Sequence, residues 1–394
     1  MIKTLTGTGY LPLPSPIATR PIWHNLGSVP LPETLRAALL TATRPIHFQG
    51  RTYLVYDGPA DEVRLQTWMP RFPPSPPFTP LTGTNRWFLG LPLPATARIE
   101  YRLLVKQAAR WHEIDDPLNP PTASNPFGVN SVISGPEYRP AVIPAPKGEV
   151  GESHLVEIRV SSLALGGRRH YHVYLPPGFQ RGVPLPLLFV HDGEDFARFG
   201  GLIEALTGLI STGSMAPLAA VLLDPWQRLN EYGADPAHAR HVVEEVIPHL
   251  HRRVGVVSPP SSRGLLGSSL GAVASLASAW HYPDTFNRLG LLSGTFVHQP
   301  GDEWPLEAFA GVISLMGAFT AEQRLEGYRV YASVGRYEGL IDFHRRLAPR
   351  LHAAGAMLRS RETWDGHHWG AWRDRLVECL PYLFPGPGSL LPSP

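Results

Sequence analysis

Leu265 and Leu266 run directly into the pentad Gly267-Ser268-Ser269-Leu270-Gly271, after which Ala272, Val273, Leu276, Ala277 and Trp280 recur at helical spacing until Pro283 closes the segment. An apolar run, a turn bracketed by glycines and a helix with an apolar face leave little freedom in how this region folds. Glycine permits the close backbone approach that such a sharp strand-to-helix turn demands, and the turn lifts its central side chain above the carboxyl end of a parallel sheet. Ser269 is therefore the candidate nucleophile. A bare Gly-x-Ser-x-Gly pattern also occurs by chance, and an ordinary turn with a capping serine would carry the same residues. The flanking strand and helix select the sharper reading.

The pattern around the pentad extends the same grammar. From about residue 153, apolar runs at 185–190, 218–223, 289–292 and 328–334 read as strands buried on both faces, as parallel strands are. Ala239, Val242, Val243, Val246, Ile247 and Leu250 mark an intervening amphipathic helix, with a kink expected at Pro248. Strand alternating with helix predicts an α/β domain with a mostly parallel sheet. Earlier in the chain, the runs 52–56, 63–68, 85–89 and 98–105 alternate polar with apolar residues between Pro/Gly turns, which reads as antiparallel strands of a β-sandwich. Prolines, 43 in all, cluster at 11–32, 70–80 and 140–146 among other places, and these clusters read as stiff loops and a linker. The expected division is a Pro-rich extension over 1–35, a β-sandwich domain over 36–145 and an α/β domain over 146–394.

The charge balance, 35 basic against 33 acidic residues, gives no field suited to nucleic acid or an anionic membrane, and neither partner is expected. The N-terminal residues lack a signal-peptide core and no stretch has the roughly 18 apolar residues that span a bilayer, so a cytoplasmic location is expected. The single cysteine, Cys379, rules out a disulfide framework and reads as a buried thiol on the C-terminal helix. His238, His241, Glu244 and Glu245 share one helix, but their spacing matches no zinc signature. They read as a solvated face, and neither metal nor cofactor is expected.

A serine hydroxyl needs a histidine within hydrogen-bond reach, and the histidine needs an acceptor that holds its tautomer. On a sheet of this kind the order along the chain is serine, acid, histidine. Trp364-Asp365-Gly366-His367-His368-Trp369 follows the strand-like run 356–363, so either histidine could be the base; Asp365 is too close to His367 to orient it. The loop after Val334 offers Glu338 as first choice of acid and Asp342 as second. For the oxyanion, the expected donors are the backbone N–H of Leu270 and one from the loop His191-Asp192-Gly193-Glu194-Asp195, through Glu194 or Gly193.

The same residues resemble the enterochelin (ferric enterobactin) esterase family, a branch of the esterase-D-like esterases in the α/β-hydrolase superfamily. The motifs that carry the likeness are His191-Asp-Gly-Glu-Asp195, Asp224-Pro-Trp-Gln-Arg-Leu-Asn-Glu-Tyr232 with Gly233-Ala-Asp235, the pentad, Leu292-Ser-Gly294, and Gly366-His-His-Trp369 with Trp372-Arg373. Asp116-Pro-Leu-Asn-Pro120, Asn125-Pro-Phe-Gly128 and Asn130-Ser131 look like the early-set immunoglobulin-like domain that precedes the hydrolase in such esterases. The resemblance implies an α/β hydrolase behind an immunoglobulin-like β-sandwich. It implies Ser269 as nucleophile and His367 rather than His368 as base, since His368 takes the variable place before the tryptophan. It further implies that Arg228, Asn230, Glu231, Tyr232 and Trp369 line or support the substrate pocket, although Arg228 could equally form a structural bridge with Glu231. The implied substrate is a small-molecule ester, a ferric catecholate siderophore first, with acyl or feruloyl-type esters of carbohydrates second. A binding protein with a vestigial site is the non-enzymatic alternative.

Overall fold

In a computed structural model the described residues are 31–146, 154–299, 306–321 and 325–388. Residues 1–30 of the expected extension and the end of the expected linker, beyond residue 146, lie outside them.

The strands of the N-terminal part are β1 (Ile46–Phe48), β2 (Arg51–Asp57), β3 (Glu62–Gln66), β4 (Thr79–Pro80), β5 (Arg86–Leu91), β6 (Arg98–Gln107), β7 (Arg110–Ile114), β8 (Ala123–Asn125) and β9 (Gly128–Ser134). They form two antiparallel sheets ordered β1-β2-β5-β4 and β3-β6-β9-β8, with β7 on the edge of β6. Period-two alternation places Leu54 and Tyr56 of β2 in the core between the sheets, with Val63, Leu65, Ile99, Tyr101 and Leu103. The opposite face of β2, Tyr53 and Val55, packs under Leu35 and Leu39 of the helix Glu33–Thr41. Tyr337, from far along the chain, completes the inter-sheet core.

The remaining strands are β10 (His154–Ser161), β11 (Arg168–Leu175), β12 (Leu187–His191), β13 (Ala219–Leu223), β14 (Arg263–Ser268), β15 (Arg288–Leu292), β16 (Arg329–Gly335) and β17 (Met357–Thr363). They form one sheet ordered β10-β11-β13-β12-β14-β15-β16-β17, antiparallel over its first two strands and parallel from β13 onward. Both faces are buried. Leu187, Phe189 and Leu265 face the elbow helix Leu270–His281, the helix Ile341–Ala353 and the run Pro236–Val254; Leu188, Val190 and Leu266 face Leu202–Ser211 and the C-terminal helix Trp369–Leu383. Each fully buried leucine or phenylalanine contributes roughly 1.5–3 kcal/mol to the fold. Strand order reverses at β12, which has β13 on one side and β14 on the other, so a crevice opens at the carboxyl ends of these strands.

The run Pro236–Val254 corrects one sequence expectation. Its winding widens to π turns at His241–Val246 and Leu250–Val254, on either side of Pro248, which has no N–H to donate. His238 and His241 are not on a solvated face: they are 4% and 0% exposed. The helix lies between the β10–β11 hairpin and the elbow helix, so its polar stripe is covered at His238 and His241, whereas Glu244 stays exposed and Glu245 is half-buried. His241 Nε2 meets Tyr171 Oη at 2.8 Å and its Nδ1 meets Glu245. His238 Nε2 meets His191 Nε2 at 3.0 Å. Burial holds both imidazoles below their ordinary pKa, and that of His191 down to about 4, so the group stays neutral. Among the described residues, no group of three metal-ligating side chains gathers and no helix is long and apolar enough to cross a membrane.

Candidate active site

Ser269 sits at the end of β14 with φ 55° and ψ −122°, a conformation costly for any residue with a Cβ. Gly267 is sterically required, and Gly271 is tightly packed. A Cβ on Gly267 would lie 2.3 Å from the carbonyl of Gly271, and one on Gly271 would lie 3.0 Å from the His191 side chain. The turn is pinned from the next strand by Ser269 N–H donating to Leu292 O at 2.9 Å. Leu270 opens the helix, so its N–H has no intrahelical acceptor.

The loop after β16 brings in Glu338, which is completely buried. Its Oε1 accepts from Ser293 Oγ and from Gly335 N–H, both at 2.7 Å, and its Oε2 meets His367 Nδ1 at 2.8 Å. Trp372 Nε1 can only donate and does so to Ser293 Oγ at 3.0 Å, so that hydroxyl must pass its own proton to Glu338. A carboxylate holding two donors on one oxygen presents the other as acceptor, which places the imidazole proton of His367 on Nδ1 and leaves Nε2 as the free acceptor. The Trp372 ring stands edge-on to His367 at 5.0 Å and limits its tilt. The Ser269 hydroxyl makes its hydrogen bond to Thr295 Oγ1, at 3.2 Å, and among the described residues none joins it to His367.

The other candidates have different partners. Asp342 pairs with Arg71 from the N-terminal sheets, and Asp365 accepts from Thr363 Oγ1 at 2.9 Å. Burial lifts the Asp365 carboxyl to about 7. His368 caps the C-terminal helix, accepting from Ala371 N–H at 3.2 Å, and receives Arg98 Nη1 at 3.0 Å. In the loop after β12, Asp192 N–H donates to Tyr232 Oη at 3.2 Å, and Glu194 N–H points to the Asp224 carboxylate at 3.3 Å. Among the described residues the N–H of Gly193 has no protein acceptor. A Cβ there would lie 2.3 Å from the Leu222 backbone, so only glycine fits.

Arg228 does not bridge to Glu231. It grips Asp192 with two parallel bonds, Nε to Oδ1 at 2.9 Å and Nη2 to Oδ2 at 2.7 Å. Glu231 instead collects Arg169 at 3.0 Å with the N–H groups of Trp226 and Gln227. Asn230 bonds Gln227 at 2.8 Å on the surface. Glu231, Tyr232 and Trp369 are buried and brace the crevice from behind.

Residues to which the sequence assigns no role supply the rest of this shell. Ser293 and Thr295 follow β15 in a loop whose only local signal is the motif Leu292-Ser-Gly294. The N-terminal sheets contribute too: Arg98 N–H donates to Trp364 O at 2.8 Å, and Arg71 N–H to Tyr337 O at 3.1 Å. The loops bearing Glu338 and His367 are thus docked on the N-terminal part.

This geometry sits within a family match. The family model described as "Putative esterase" aligns with residues 162–383, more than half of the chain. The chain belongs to this esterase family. Among curated relatives, an uncharacterized Bacillus subtilis protein, YbbA, is 27% identical over 248 residues, covering 55% of this chain and 93% of its own. The iron(III) enterobactin esterase of Dickeya dadantii is 26% identical over 215 residues, 51% of this chain and only 48% of its own, so the match spans about half of that enzyme. Its Escherichia coli O6:H1 counterpart is 26% identical over 305 residues, 73% of this chain and 71% of its own. Among solved structures, the enterobactin esterase of Shigella flexneri, crystallised in the presence of enterobactin, superposes with a TM-score of 0.70 over 88% of this chain and 97% of its own at 20% identity. The ferric enterobactin esterase of Salmonella typhimurium gives 0.71 over 88% and 98% at 18%. A ferulic acid esterase gives 0.52 over 59% and 98% at 19%. These likenesses establish an α/β-hydrolase fold with an N-terminal β part, and the family is one of carboxylic ester hydrolases.

Proposed function

We propose that the protein is a serine esterase in which Ser269, His367 and Glu338 act together. The observation that carries this reading is the Glu338–His367 contact of 2.8 Å, held by a buried carboxylate whose other oxygen is already occupied. In the reaction the Ser269 hydroxyl leaves Thr295 and donates to His367 Nε2; catalytic bonds of this kind commonly tighten only with substrate present. The serine oxygen then bonds to the ester carbon while its proton passes to Nε2. The oxyanion is held by the N–H groups of Leu270 and Gly193, each worth about 3 kcal/mol in the barrier. Nε2 returns the proton to the departing alcohol oxygen, and water repeats the sequence to release the acid. Gly193 takes the place first expected of Glu194, whose N–H is turned to Asp224.

For the substrate we propose the tri-serine lactone of a ferric catecholate siderophore, hydrolysed inside the cell to free iron. The likeness to enterobactin esterases supports this, and the two antiparallel N-terminal sheets suit the immunoglobulin-like domain of that family. The overlap with a ferulic acid esterase favours acyl or feruloyl esters as the second reading. Wild type and Ser269→Ala would be compared on ferric enterobactin and on acetyl- and feruloyl-sugars by mass spectrometry, and on a fluorophosphonate probe. Lactone cleavage and labelling, both lost in the variant, are expected. Cleavage of the sugar esters alone would move the substrate to the second reading, and a wild type that neither labels nor cleaves would leave a binding protein.

A further inference from the structure

One cavity lies apart from Ser269, Glu338 and His367, none of which lines it. It has a volume of about 690 Å³ and opens where β8 and Arg98 of the N-terminal part meet the segment at Ile143–Pro146, the turn into the helix Leu202–Ser211 and the start of the C-terminal helix. That volume lies within the range of small-molecule sites, which favour such junctions between domains.

Its charges are unevenly matched. Arg98, Arg198 and Arg373 line it against the single carboxylate of Glu204. Arg98 is neutralised by Glu100 at 3.0 Å. Arg198 and Arg373 are exposed, and among the described residues neither forms an ion pair. Two guanidiniums facing one carboxylate give the cavity a positive potential that the near-neutral chain lacks as a whole.

The backbone is cut to fit these side chains. Gly201, at the turn before Leu202, has φ 64°, and a Cβ there would meet Arg373 Nε at 3.4 Å. A Cβ on Gly370 would lie 2.3 Å from Arg98 Nη2. Beside the arginines, Ile143, Pro144, Phe199 and Ile203 add apolar lining, and the Arg198 guanidinium lies 5.0 Å from the Phe199 ring centroid. A flat apolar body would pack on that lining while an anionic group reached the two guanidiniums, which suit planar carboxylates.

We propose that this junction cavity is a second binding site, distinct from the esterase centre, for a small aromatic carboxylate. Two structural paths tie it to the catalytic loop. Arg98 reaches His368, next to His367, and the rings of Phe199, Trp369 and Trp372 form a chain that ends on His367. Trp369, 5.9 Å from Phe199, is a built-in reporter.

The test is a titration of the full-length protein with benzoate, with inorganic phosphate in a parallel arm, followed by calorimetry and tryptophan fluorescence. Saturable benzoate binding that is unchanged in Ser269→Ala and His367→Ala, and weakened at least tenfold in Arg198→Ala/Arg373→Ala, is the expected result. Both arginines are exposed, so the double variant should keep the wild-type melting temperature and its basal hydrolysis of p-nitrophenyl butyrate. Absence of saturable binding, binding that survives loss of both arginines, binding abolished by Ser269→Ala or His367→Ala, or phosphate binding as tightly as benzoate would each overturn the proposal. The binding outcomes are read without reference to ester turnover, so they stand apart from the fate of the esterase mechanism.

Discussion

Replacing Glu338 with glutamine changes one oxygen to an NH2 group in a place that has no spare volume, and the structure dictates which way the amide must turn. At the Oε1 position the N–H of Gly335 donates at 2.7 Å, and a backbone N–H cannot rotate away. Ser293 Oγ arrives there at 2.7 Å, itself held by Trp372 at 3.0 Å. An NH2 group there would face a donor, so the amide oxygen must take this site and the nitrogen must face His367 Nδ1, at about the 2.8 Å now spanned by the carboxylate. His367 would then accept at Nδ1 and carry its proton on Nε2, where it can no longer take a proton from Ser269. The same swap of tautomer in a serine protease costs about 10⁴ in kcat, equivalent to about 5 kcal/mol. Glu338→Gln should therefore lower kcat on p-nitrophenyl butyrate by about 10³–10⁴, with KM nearly unchanged and fluorophosphonate labelling slowed in parallel, because the binding surface is intact. A variant that keeps its folded melting transition and stays within tenfold of wild-type kcat would refute both the role of Glu338 and the proton placement on His367.

Two further outcomes follow from strain and from buried charge. Ser269→Gly should be more stable than Ser269→Ala by about 1 kcal/mol in urea denaturation, because the alanine keeps a Cβ at φ 55° and ψ −122° and the glycine does not; equal or lower stability of the glycine variant would show that the elbow is not strained. Burial lifts the Asp224 carboxyl to about 8, and the neighbouring charges of Asp192 and Glu194 add to the effect. Between the ordinary carboxyl range and about pH 8 the folded chain holds a proton that the unfolded chain has lost, so stability should fall as pH rises, by at most about 1.4 kcal/mol per pH unit from this group. Asp224→Asn should remove that contribution between pH 5 and 8, and identical pH dependences of stability for the two proteins would refute the assignment.

Local pattern was enough for some of this molecule and not for the rest. The elbow was legible because a strand, two glycines and a helix must follow one another within a few residues for it to exist at all. Glu338 and His367 were legible as candidates because each follows closely on a strand-like run, apolar before Glu338 and mostly polar before His367, and chain order limited the choice. The helix at 236–254 shows the opposite case. Spacing correctly put His238 and His241 on a polar stripe, yet a stripe carries no record of what covers it, and here β11 and the loop at His191 supply Tyr171 and a second imidazole. Arg228 and Glu231, one helical turn apart, looked able to pair, but each found a partner across the fold, Asp192 and Arg169.

The order of apolar runs, glycines and chemical side chains determined by itself that an α/β sheet would carry a serine on a sharp turn, with an acid and a histidine after it. Only the tertiary structure decided which groups meet. Arg98 and His368 are 270 residues apart, and Tyr138 and Asp374 are 236 apart. Such contacts depend on how the N-terminal sheets dock onto the loops after β16 and β17. The physical reason is that periodicity fixes the direction of a side chain relative to its own element, whereas its partner is fixed by the packing of surfaces that share no sequence neighbourhood.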